Sequence, residues 1–348
     1  MNYTIVRKLP SVDNIIAAFP LSSEAEERIA NDQQEIKNII AGTDPRMLVI
    51  VGPCSAWPAD ALVEYAGKLK KVSDELKESL KIVLRLYIQK PRTAKGWTGP
   101  VNQPDPFSPP DIEKGISYSR ELMVRAIEAG LPIADEAVFT HNARGFIELL
   151  SWVAIGARSS EDQEHRIFAS AVPCAVGMKN PTSGEIEIGV NSIIAAQHPH
   201  TAVFSGYQVE TPGNPHAHLV LRGGMGGPNY HVEQLMQAQT FLTKHVVKNP
   251  SIIIDASHDN CRLNGKKDPL WQVAVVREVL QTLRMHSELR GVVKGFMIES
   301  FLKAGNQSVE SCTPETIDRT GLSITDPCLG WEETASLLKE IASESGRV

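Results

Sequence analysis

Eight short apolar runs recur along this chain, and each is followed within a few residues by a charged or metal-ligating side chain. The first run, Leu48-Val49-Ile50-Val51, is closed by a Gly52-Pro53 break that comes directly before Cys54. A β-branched run of this length, without a polar face, is typical of a parallel strand that is buried on both sides. The eight runs cover residues 47–52, 82–87, 131–134, 152–157, 174–178, 218–221, 251–254 and 292–298.

Helical patterns separate most of these runs, at residues 56–79, 112–129, 141–151, 231–248 and 269–288. Strands and helices that alternate eight times over roughly 250 residues predict an α/β fold, a (β/α)8 TIM barrel. The interval between the fifth and sixth runs also holds a helix near 187–197 and two strand-like pieces, 201–204 and 206–209. We interpret these pieces as a β-hairpin, at about 200–212, inserted into a catalytic barrel that spans 46–348.

Residues 1–45 precede the first strand and are predicted to form an N-terminal helical extension. Residues 22–26, Ser-Ser-Glu-Ala-Glu, are typical of a helix start. A helical stripe of isoleucines follows, at Ile29, Ile36, Ile39 and Ile40. We expect this extension to cover the barrel floor or to mediate oligomer contacts.

Composition excludes several classes of protein. The 348 residues contain no apolar run near the eighteen or so that a membrane span needs. The first ten residues have no signal-peptide core, so a cytoplasmic location is expected. A net charge of −6 argues against nucleic acid or anionic membrane as a partner, but a focused basic site can still bind a small anion. The five cysteines form no CxxC pair, which favours reduced thiols.

Functional side chains of such a barrel lie at the carboxyl ends of its strands. The residues found there are Cys54, Arg85 with Lys90 and Arg92, Glu136, Arg158, Lys179, Arg222, His258 and Glu299. Cys54, His258 and Glu299, joined by a carboxylate from the tail, offer sulfur, nitrogen and oxygen ligands to a divalent metal. The six cations would repel one another in one barrel mouth unless multiply charged anions neutralised them, so two phosphate-bearing substrates are expected.

Each of these residues also has a plain structural explanation. A lone cysteine after a strand is usually a small core residue, and a cation at the end of an element is usually solvated. The site interpretation depends on their common position in eight successive units. Two other features are weaker: the spacing of His198, His200, His216 and His218 fits no metal-ligand pattern, and the loop 223–227 lacks the Lys-Ser/Thr of a P-loop.

Nine motifs, taken together, resemble those of the type I 3-deoxy-D-arabino-heptulosonate 7-phosphate (DAHP) synthases, and the resemblance extends from about residue 12 to 345. They are Gly52-Pro53-Cys54-Ser55, Lys90-Pro91-Arg92-Thr93 with Gly96-Trp97, Ala154-Ile155-Gly156-Ala157-Arg158, Gly177-Met178-Lys179-Asn180, Leu221-Arg222-Gly223-Gly224, Pro228-Asn229-Tyr230, Ser257-His258, Glu299-Ser300 and Ser323-Ile324-Thr325-Asp326-Pro327-Cys328-Leu329-Gly330-Trp331.

The resemblance implies a transferase that condenses phosphoenolpyruvate with erythrose 4-phosphate at the entry to the shikimate pathway. It implies one divalent metal ion, Mn, Fe, Co or Zn, and a homo-oligomer, either dimer or tetramer. The implied metal ligands are Cys54, His258, Glu299 and Asp326, the last of which the strand pattern does not find. The implied phosphoenolpyruvate ligands are Arg85, Lys90, Arg158, Lys179 and Arg222, and Arg92 and Thr93 would hold the phosphate of the sugar. The implied catalytic residues are His258, Glu136 as the group that orients or deprotonates water, and Lys90 and Lys179 as proton donors.

Several positions depart from the family pattern. Gln89 stands where a glutamate is usual, residues 137–139 replace Phe-Leu-Asp, Val153 replaces a glycine, the cations before Pro228 are absent, and Asp259 follows His258 in place of a small residue. These departures leave open a paralogue that uses another phosphorylated aldehyde in secondary metabolism. KDO 8-phosphate synthases fit less well, because the Lys-Pro-Arg-Thr signature belongs to DAHP synthases. A catalytically silent regulatory paralogue would have lost a ligand or a cation, and none is lost.

Feedback control is expected to differ from the family. Ala143, Arg144 and Pro173 occupy the places where Pro-Gln and a serine are typical of the site for aromatic amino acids. The sequence therefore predicts weak or no inhibition by phenylalanine or tyrosine, and the inserted hairpin would then serve as an oligomer contact.

Overall fold

The structure is a computed structural model that describes residues 2–92, 95–138, 145–204 and 206–345. Its twelve strands in the described ranges are β1 (Met47–Gly52), β2 (Leu80–Arg85), β3 (Ile133–Ala137), β4 (Trp152–Ile155), β5 (Ala175–Lys179), β6 (His200–Phe204), β7 (Tyr207–Thr211), β8 (Ala217–Leu221), β9 (Ile252–Asp255), β10 (Arg262–Leu263), β11 (Lys266–Lys267) and β12 (Val293–Glu299).

Eight of these strands close into a barrel in the order β1-β12-β9-β8-β5-β4-β3-β2, and every neighbouring pair is parallel. In β1, Val49 and Val51 face the surrounding helices, whereas Leu48 and Ile50 belong to the cluster inside the barrel. Both faces of the strand are buried, which explains its uninterrupted apolar run. The (β/α)8 prediction is confirmed.

The helices in the described ranges are α1 (Val12–Ala18), α2 (Ser23–Ala41), α3 (Ala59–Leu76), α4 (Ile112–Glu128), α5 (Gln163–Ala171), α6 (Ile186–Gln197), α7 (Val232–Lys244), α8 (Trp271–Met285), α9 (Ser287–Arg290) and α10 (Trp331–Ser345). The helix predicted over 141–151 is wrong in its described part, which contains only one turn of 3-10 helix, Ile147–Leu149. No helix in the described ranges is both long and apolar enough to span a membrane.

Helix α2 covers the floor of the barrel, at the amino ends of the strands. The Ser22 side chain caps it by accepting a hydrogen bond from the Ala25 N–H. Its apolar stripe places Ile36, Ile39 and Ile40 in the same buried cluster as the interior residues of β1. The extension therefore takes the first of its two expected roles.

The inserted hairpin consists of β6 and β7, which pair antiparallel between barrel strands β5 and β8. It lies outside the barrel sheet, and Val203 and Tyr207 are exposed at its end. The hairpin is present where the sequence predicted it.

Candidate active site

A cavity of about 490 Å³ opens at the carboxyl ends of the barrel strands and gathers most of the predicted site residues. The predicted residues that line it are Cys54, Lys90, Arg92, Glu136, Arg158, Lys179, Arg222, His258 and Asp326. Arg85 and Glu299 lie below this lining, fully buried, with 2.9 Å between Nη2 of Arg85 and Oε1 of Glu299. Thr93 lies outside the described residues.

Three of the four predicted metal ligands form a tight group. Potential donor atoms of Cys54, Glu299 and Asp326 all lie within 4.8 Å of one another. His258 is beside them, with its Nε2 atom 3.9 Å from Oε1 of Glu299. The other ring nitrogen of His258 is 2.8 Å from the Asp255 carboxylate, so the ring is oriented as in many metal-binding histidines.

The chemistry of this group fits a divalent transition metal. A thiol, an imidazole and two carboxylates are a mixed ligand set that such metals accept. Oε1 of Glu299 is buried, and apart from its ion pair with Nη2 of Arg85 it makes no hydrogen bond within the described chain. Cations occupy the neighbouring positions: Nζ of Lys90 is 3.2 Å from Sγ of Cys54, and Lys267 contacts the Asp326 carboxylate. The residues present therefore suit a metal ion.

Charge and burial oppose each other at these ligands. Burial, with a smaller effect from Glu299, raises the pKa of the Cys54 thiol. Burial alone would also raise the pKa of Glu299, but Arg85 and His258 hold it below its usual value. A buried thiol of this kind is stabilised as a thiolate by an adjacent cation. The site thus holds carboxylates that are already ionised and a thiol that needs a cationic partner.

The cations of the mouth surround the ring of Tyr87. The charged groups of Arg85, Lys90 and Lys179 lie 3.9, 5.6 and 5.8 Å from the ring centroid. Arg85 donates one hydrogen bond, 2.7 Å from Nη1 to the Pro53 carbonyl oxygen. Its Nε atom is buried without a hydrogen-bond partner among the described residues. An unpaired buried N–H is costly, so this guanidinium is suited to receive an oxygen from a ligand.

Glu136, at the end of β3, is buried among these cations. Nζ of Lys179 lies 3.5 Å from Oε2 of Glu136 and 3.5 Å from Oδ2 of Asp255. Burial would raise the pKa of Glu136, but Lys179, Lys90 and Arg85 lower it below the usual value. Gly156 on the neighbouring chain segment leaves the space for this side chain, since a Cβ there would be 2.3 Å from Oε1 of Glu136. Glu136 is therefore an ionised carboxylate that can accept a proton.

Sequence reasoning missed several charged residues of the mouth. Lys95, Arg262 and Lys267 also line the cavity. The last two belong to the small antiparallel hairpin β10–β11, whose turn residues Asn264 and Gly265 have φ angles of 51° and 78°. The Asn-Gly pair is a known hairpin signal, and it was the one indication in the sequence.

The position of Gln89 has a compensating neighbour. Gln89 shares a small pocket with Asp135, whose Oδ1 accepts a hydrogen bond of 3.1 Å from the Ile88 N–H. Burial raises the pKa of Asp135 to about 8. Gln89, which stands where the family pattern has a glutamate, thus lies beside a buried carboxyl group on β3.

The histidines near the insertion do not assemble a second metal site in the described chain, where the one group of potential ligands is that of Cys54. His218 lies inside the barrel, and its Nε2 accepts a hydrogen bond of 3.1 Å from the Trp152 indole N–H. Burial lowers the pKa of His218 to about 4. It is a core residue, as the spacing indicated.

Comparison with known proteins gives consistent matches. Residues 20–339 match the model of the DAHP synthetase I family. The Tyr-sensitive phospho-2-dehydro-3-deoxyheptonate aldolase of Salmonella typhimurium is 38% identical over 338 residues, which are 96% of this chain and 92% of that protein. The phospho-2-dehydro-3-deoxyheptonate aldolase of Corynebacterium glutamicum is 36% identical over 97% of this chain and 91% of its own. The solved structure of the Francisella tularensis aldolase of the same name has a TM-score of 0.92 and 34% identity, and the match covers 99% of both chains.

Proposed function

Because the chain belongs to the DAHP synthetase I family, it condenses phosphoenolpyruvate with erythrose 4-phosphate in the first step of the shikimate pathway, and we propose that the barrel mouth carries out this reaction. The observation that supports the site is that one cavity holds both a set of potential metal ligands and a group of cations. A sulfur, nitrogen and oxygen ligand set lies beside Arg85 and Arg222, whose buried Nε atoms have no hydrogen-bond partner among the described residues.

We assign the anion-binding roles to residues that the cavity brings together. Lys90, Arg158, Lys179 and Arg222, with Arg85 beneath the lining, would hold phosphoenolpyruvate. Arg92 would hold the phosphate of the sugar, together with Thr93, which lies outside the described residues. Guanidinium forks fix carboxylate and phosphate oxygens in one orientation. Two substrates held in this way react as if joined, which lowers the entropic part of the barrier.

The metal ligands would be Cys54, His258, Glu299 and Asp326. The family uses one divalent metal ion, and the mixed ligand set does not select among Mn, Fe, Co and Zn. When bound, the metal supplies Lewis acidity toward the aldehyde oxygen.

The proton transfers fall to the residues of the chain. C3 of phosphoenolpyruvate forms a bond to the aldehyde carbon, and a proton from Lys90 or Lys179 completes the new hydroxyl group. Water adds to C2, and Glu136 accepts a proton from it. The C2 hydroxyl group then gives its proton to the departing phosphate and becomes the ketone oxygen, while the bond between C2 and the phosphate oxygen breaks and inorganic phosphate leaves with the electron pair of that bond.

Loss of phosphoenolpyruvate absorbance by the metal-reconstituted protein tests this proposal. Consumption that requires erythrose 4-phosphate, and that a chelator abolishes, is the expected result. Consumption with an arabinose or ribose phosphate in its place would favour the paralogue with another aldehyde, to which Asp259 and Gln89 point. No consumption with any of these aldehydes, although elemental analysis finds bound metal, would contradict the proposed reaction.

We further propose a cytoplasmic location and a homo-oligomer. All five cysteines are free of disulfides, as is usual in a reducing compartment. The exposed end of the inserted hairpin, with Val203 and Tyr207, is the surface we expect to contact a second copy. Light scattering of the purified protein tests the oligomer, and a monomer at micromolar concentration would contradict it.

A further inference from the structure

Asp259 lies between two guanidinium groups at one side of the mouth. Its Oδ2 atom forms an ion pair with Nη1 of Arg222, and its Oδ1 atom is 2.5 Å from Nε of Arg262. The Asp259 side chain is only 14% exposed. Each carboxylate oxygen therefore has its own cationic partner, which is the strongest arrangement for such a group.

This contact occupies one end of the Arg222 guanidinium and leaves the other available. Arg222 is buried, and its Nη1 also lies 3.4 Å from the Gly223 carbonyl oxygen. Its Nε, by contrast, has no hydrogen-bond partner in the described chain. Because leaving a buried N–H unpaired costs free energy, the free edge of this side chain is arranged for an oxygen that comes from a ligand.

The backbone supports the same arrangement. The N–H of Arg222 donates to Oδ1 of Asn180 at 2.9 Å, and the N–H of Asp259 donates to the carbonyl of Arg222 at 3.2 Å. Gly223 has a φ of 73°, and a Cβ there would lie 2.7 Å from the Asp259 carbonyl carbon. The backbones of the loops that carry Gly223 and Asp259 are thus packed too closely to shift relative to each other. The contact with Asp259 therefore acts on the orientation of the Arg222 side chain.

The small hairpin holds Asp259 from the other side. Arg262 is anchored by its Nη1, which donates to the Gly265 carbonyl oxygen at 2.9 Å across the hairpin turn. Lys267, its partner in the β10–β11 pair, contacts Asp326. The hairpin therefore joins the anion-binding side of the mouth to the proposed metal ligands.

We propose that Asp259 is a positioning residue: it holds Nη1 of Arg222 so that the unpaired edge of the guanidinium faces the anion of phosphoenolpyruvate. Arg262 assists by fixing Asp259. The inference rests on the proposed function for the identity of the anion.

The test compares Asp259→Ala with the wild type in steady-state kinetics and in calorimetric binding of phosphoenolpyruvate. We expect KM and the dissociation constant for phosphoenolpyruvate to rise by about tenfold, while kcat changes by less than about threefold. Arg262→Ala removes the second contact at a side chain that is 45% exposed, and should give the same change at smaller size. Asp259→Asn keeps one acceptor oxygen and should fall between Asp259→Ala and the wild type.

Asp44→Asn is the matched control, because Asp44 pairs with Arg46 at the opposite end of the barrel and is similarly enclosed. It should change neither KM nor the dissociation constant. Tighter phosphoenolpyruvate binding in Asp259→Ala would mean that Asp259 competes with the ligand for Arg222, and would overturn the proposal, as would unchanged binding. If the wild type binds phosphoenolpyruvate but turns over no aldehyde, the proposed function fails while the calorimetric comparison still decides the role of Asp259.

Discussion

The two ends of the barrel differ in their balance of cations and carboxylates. At the floor, Lys81 is 2.6 Å from Asp32 and 2.7 Å from Glu35, and Arg46 is 2.6 Å from Asp44. At the mouth, eight of the described residues that line the cavity are lysine or arginine, and two, Glu136 and Asp326, are acidic. Buried N–H groups of Arg85 and Arg222 lack partners there.

The difference separates stability from function. At the floor these cations are matched by carboxylates, so the floor needs no ligand. Several cations of the mouth also have carboxylate partners, Arg85 with Glu299 and Arg222 with Asp259 among them, but the lining cations outnumber the lining carboxylates. A mouth with excess positive charge is unfavourable until anions arrive, and that unfavourable energy becomes binding energy for phosphorylated substrates. The comparison predicts that substitutions at the floor change folding, whereas substitutions at the mouth change binding and turnover.

The largest effect is expected from Cys54→Ala at the mouth. Loss of the proposed sulfur ligand should lower metal affinity by more than about 100-fold and turnover by about 1,000-fold or more, because the metal is proposed to activate the aldehyde. Elemental analysis after dialysis and the phosphoenolpyruvate assay measure the two effects. Cys312→Ala, at a cysteine away from the ligand group, is the control and should keep its metal. Full metal content in Cys54→Ala would contradict the assigned ligand set.

A pair of substitutions on one strand tests the comparison directly. Lys81 and Arg85 lie four residues apart on β2, one at the floor and the other at the mouth. Arg85→Met should lower kcat/KM by about 100-fold or more, since it removes a proposed substrate contact. Lys81→Met should lower the free energy of unfolding by about 2–4 kcal/mol, because it leaves the buried Asp32 unpaired, and should leave kcat/KM within about threefold.

Urea unfolding and steady-state kinetics on both variants decide this prediction. A Lys81→Met protein that folds normally but loses turnover would break the separation between floor and mouth. So would an Arg85→Met protein with normal turnover.

The barrel could be predicted from the sequence because its strands are buried on both faces, and strands of this kind appear in the sequence as eight apolar runs. Asp326 follows no strand, and only the motif around it could identify it. Hairpin β10–β11 is missed because its strands have two residues each and three of the four residues are cationic. The helix predicted over 141–151 is wrong in its described part, residues 145–151, because Phe146, Leu149 and Leu150 are buried against the outer core without forming an α-helix. Local periodicity does not record contacts of this kind.

Asp135 lies behind the wall of the mouth, where burial raises its pKa by more than Lys90 lowers it. Its pKa is raised to about 8, above the ordinary value of about 3.9 in an unfolded chain. Between these values the folded state holds a proton that the unfolded state lacks. Stability contributed by this group is therefore complete below about pH 4 and falls as pH rises toward 8, by up to about 1.4 kcal/mol per pH unit.

Asp135→Asn should remove this slope. Urea unfolding at pH 5.5 and 8.0 is expected to show that the variant gains stability relative to the wild type as pH rises, by about 1–3 kcal/mol over the interval. Asp162→Asn is the control, because the hydrogen bonds from His165 hold the pKa of Asp162 below its usual value despite burial, so this carboxylate does not titrate in this range. Parallel stability curves for Asp135→Asn and the wild type would show that Asp135 is ionised throughout.

The smallest effect concerns feedback inhibition, for which the sequence predicts a weak response or none. The Salmonella typhimurium relative is named as Tyr-sensitive, but Ala143 and Arg144 depart from the family pattern at the regulatory site and lie outside the described residues. Allosteric coupling, where it exists, typically changes affinity by 5- to 150-fold. Because these two residues depart from the family pattern, we expect tyrosine or phenylalanine at millimolar concentration to change kcat/KM by less than about twofold, which is below that range. The assay at subsaturating phosphoenolpyruvate measures this. Strong inhibition by either amino acid would contradict this prediction. It would mean that binding near the hairpin β6–β7 still changes the mouth from outside the barrel, in addition to residues such as Asp259 within the mouth.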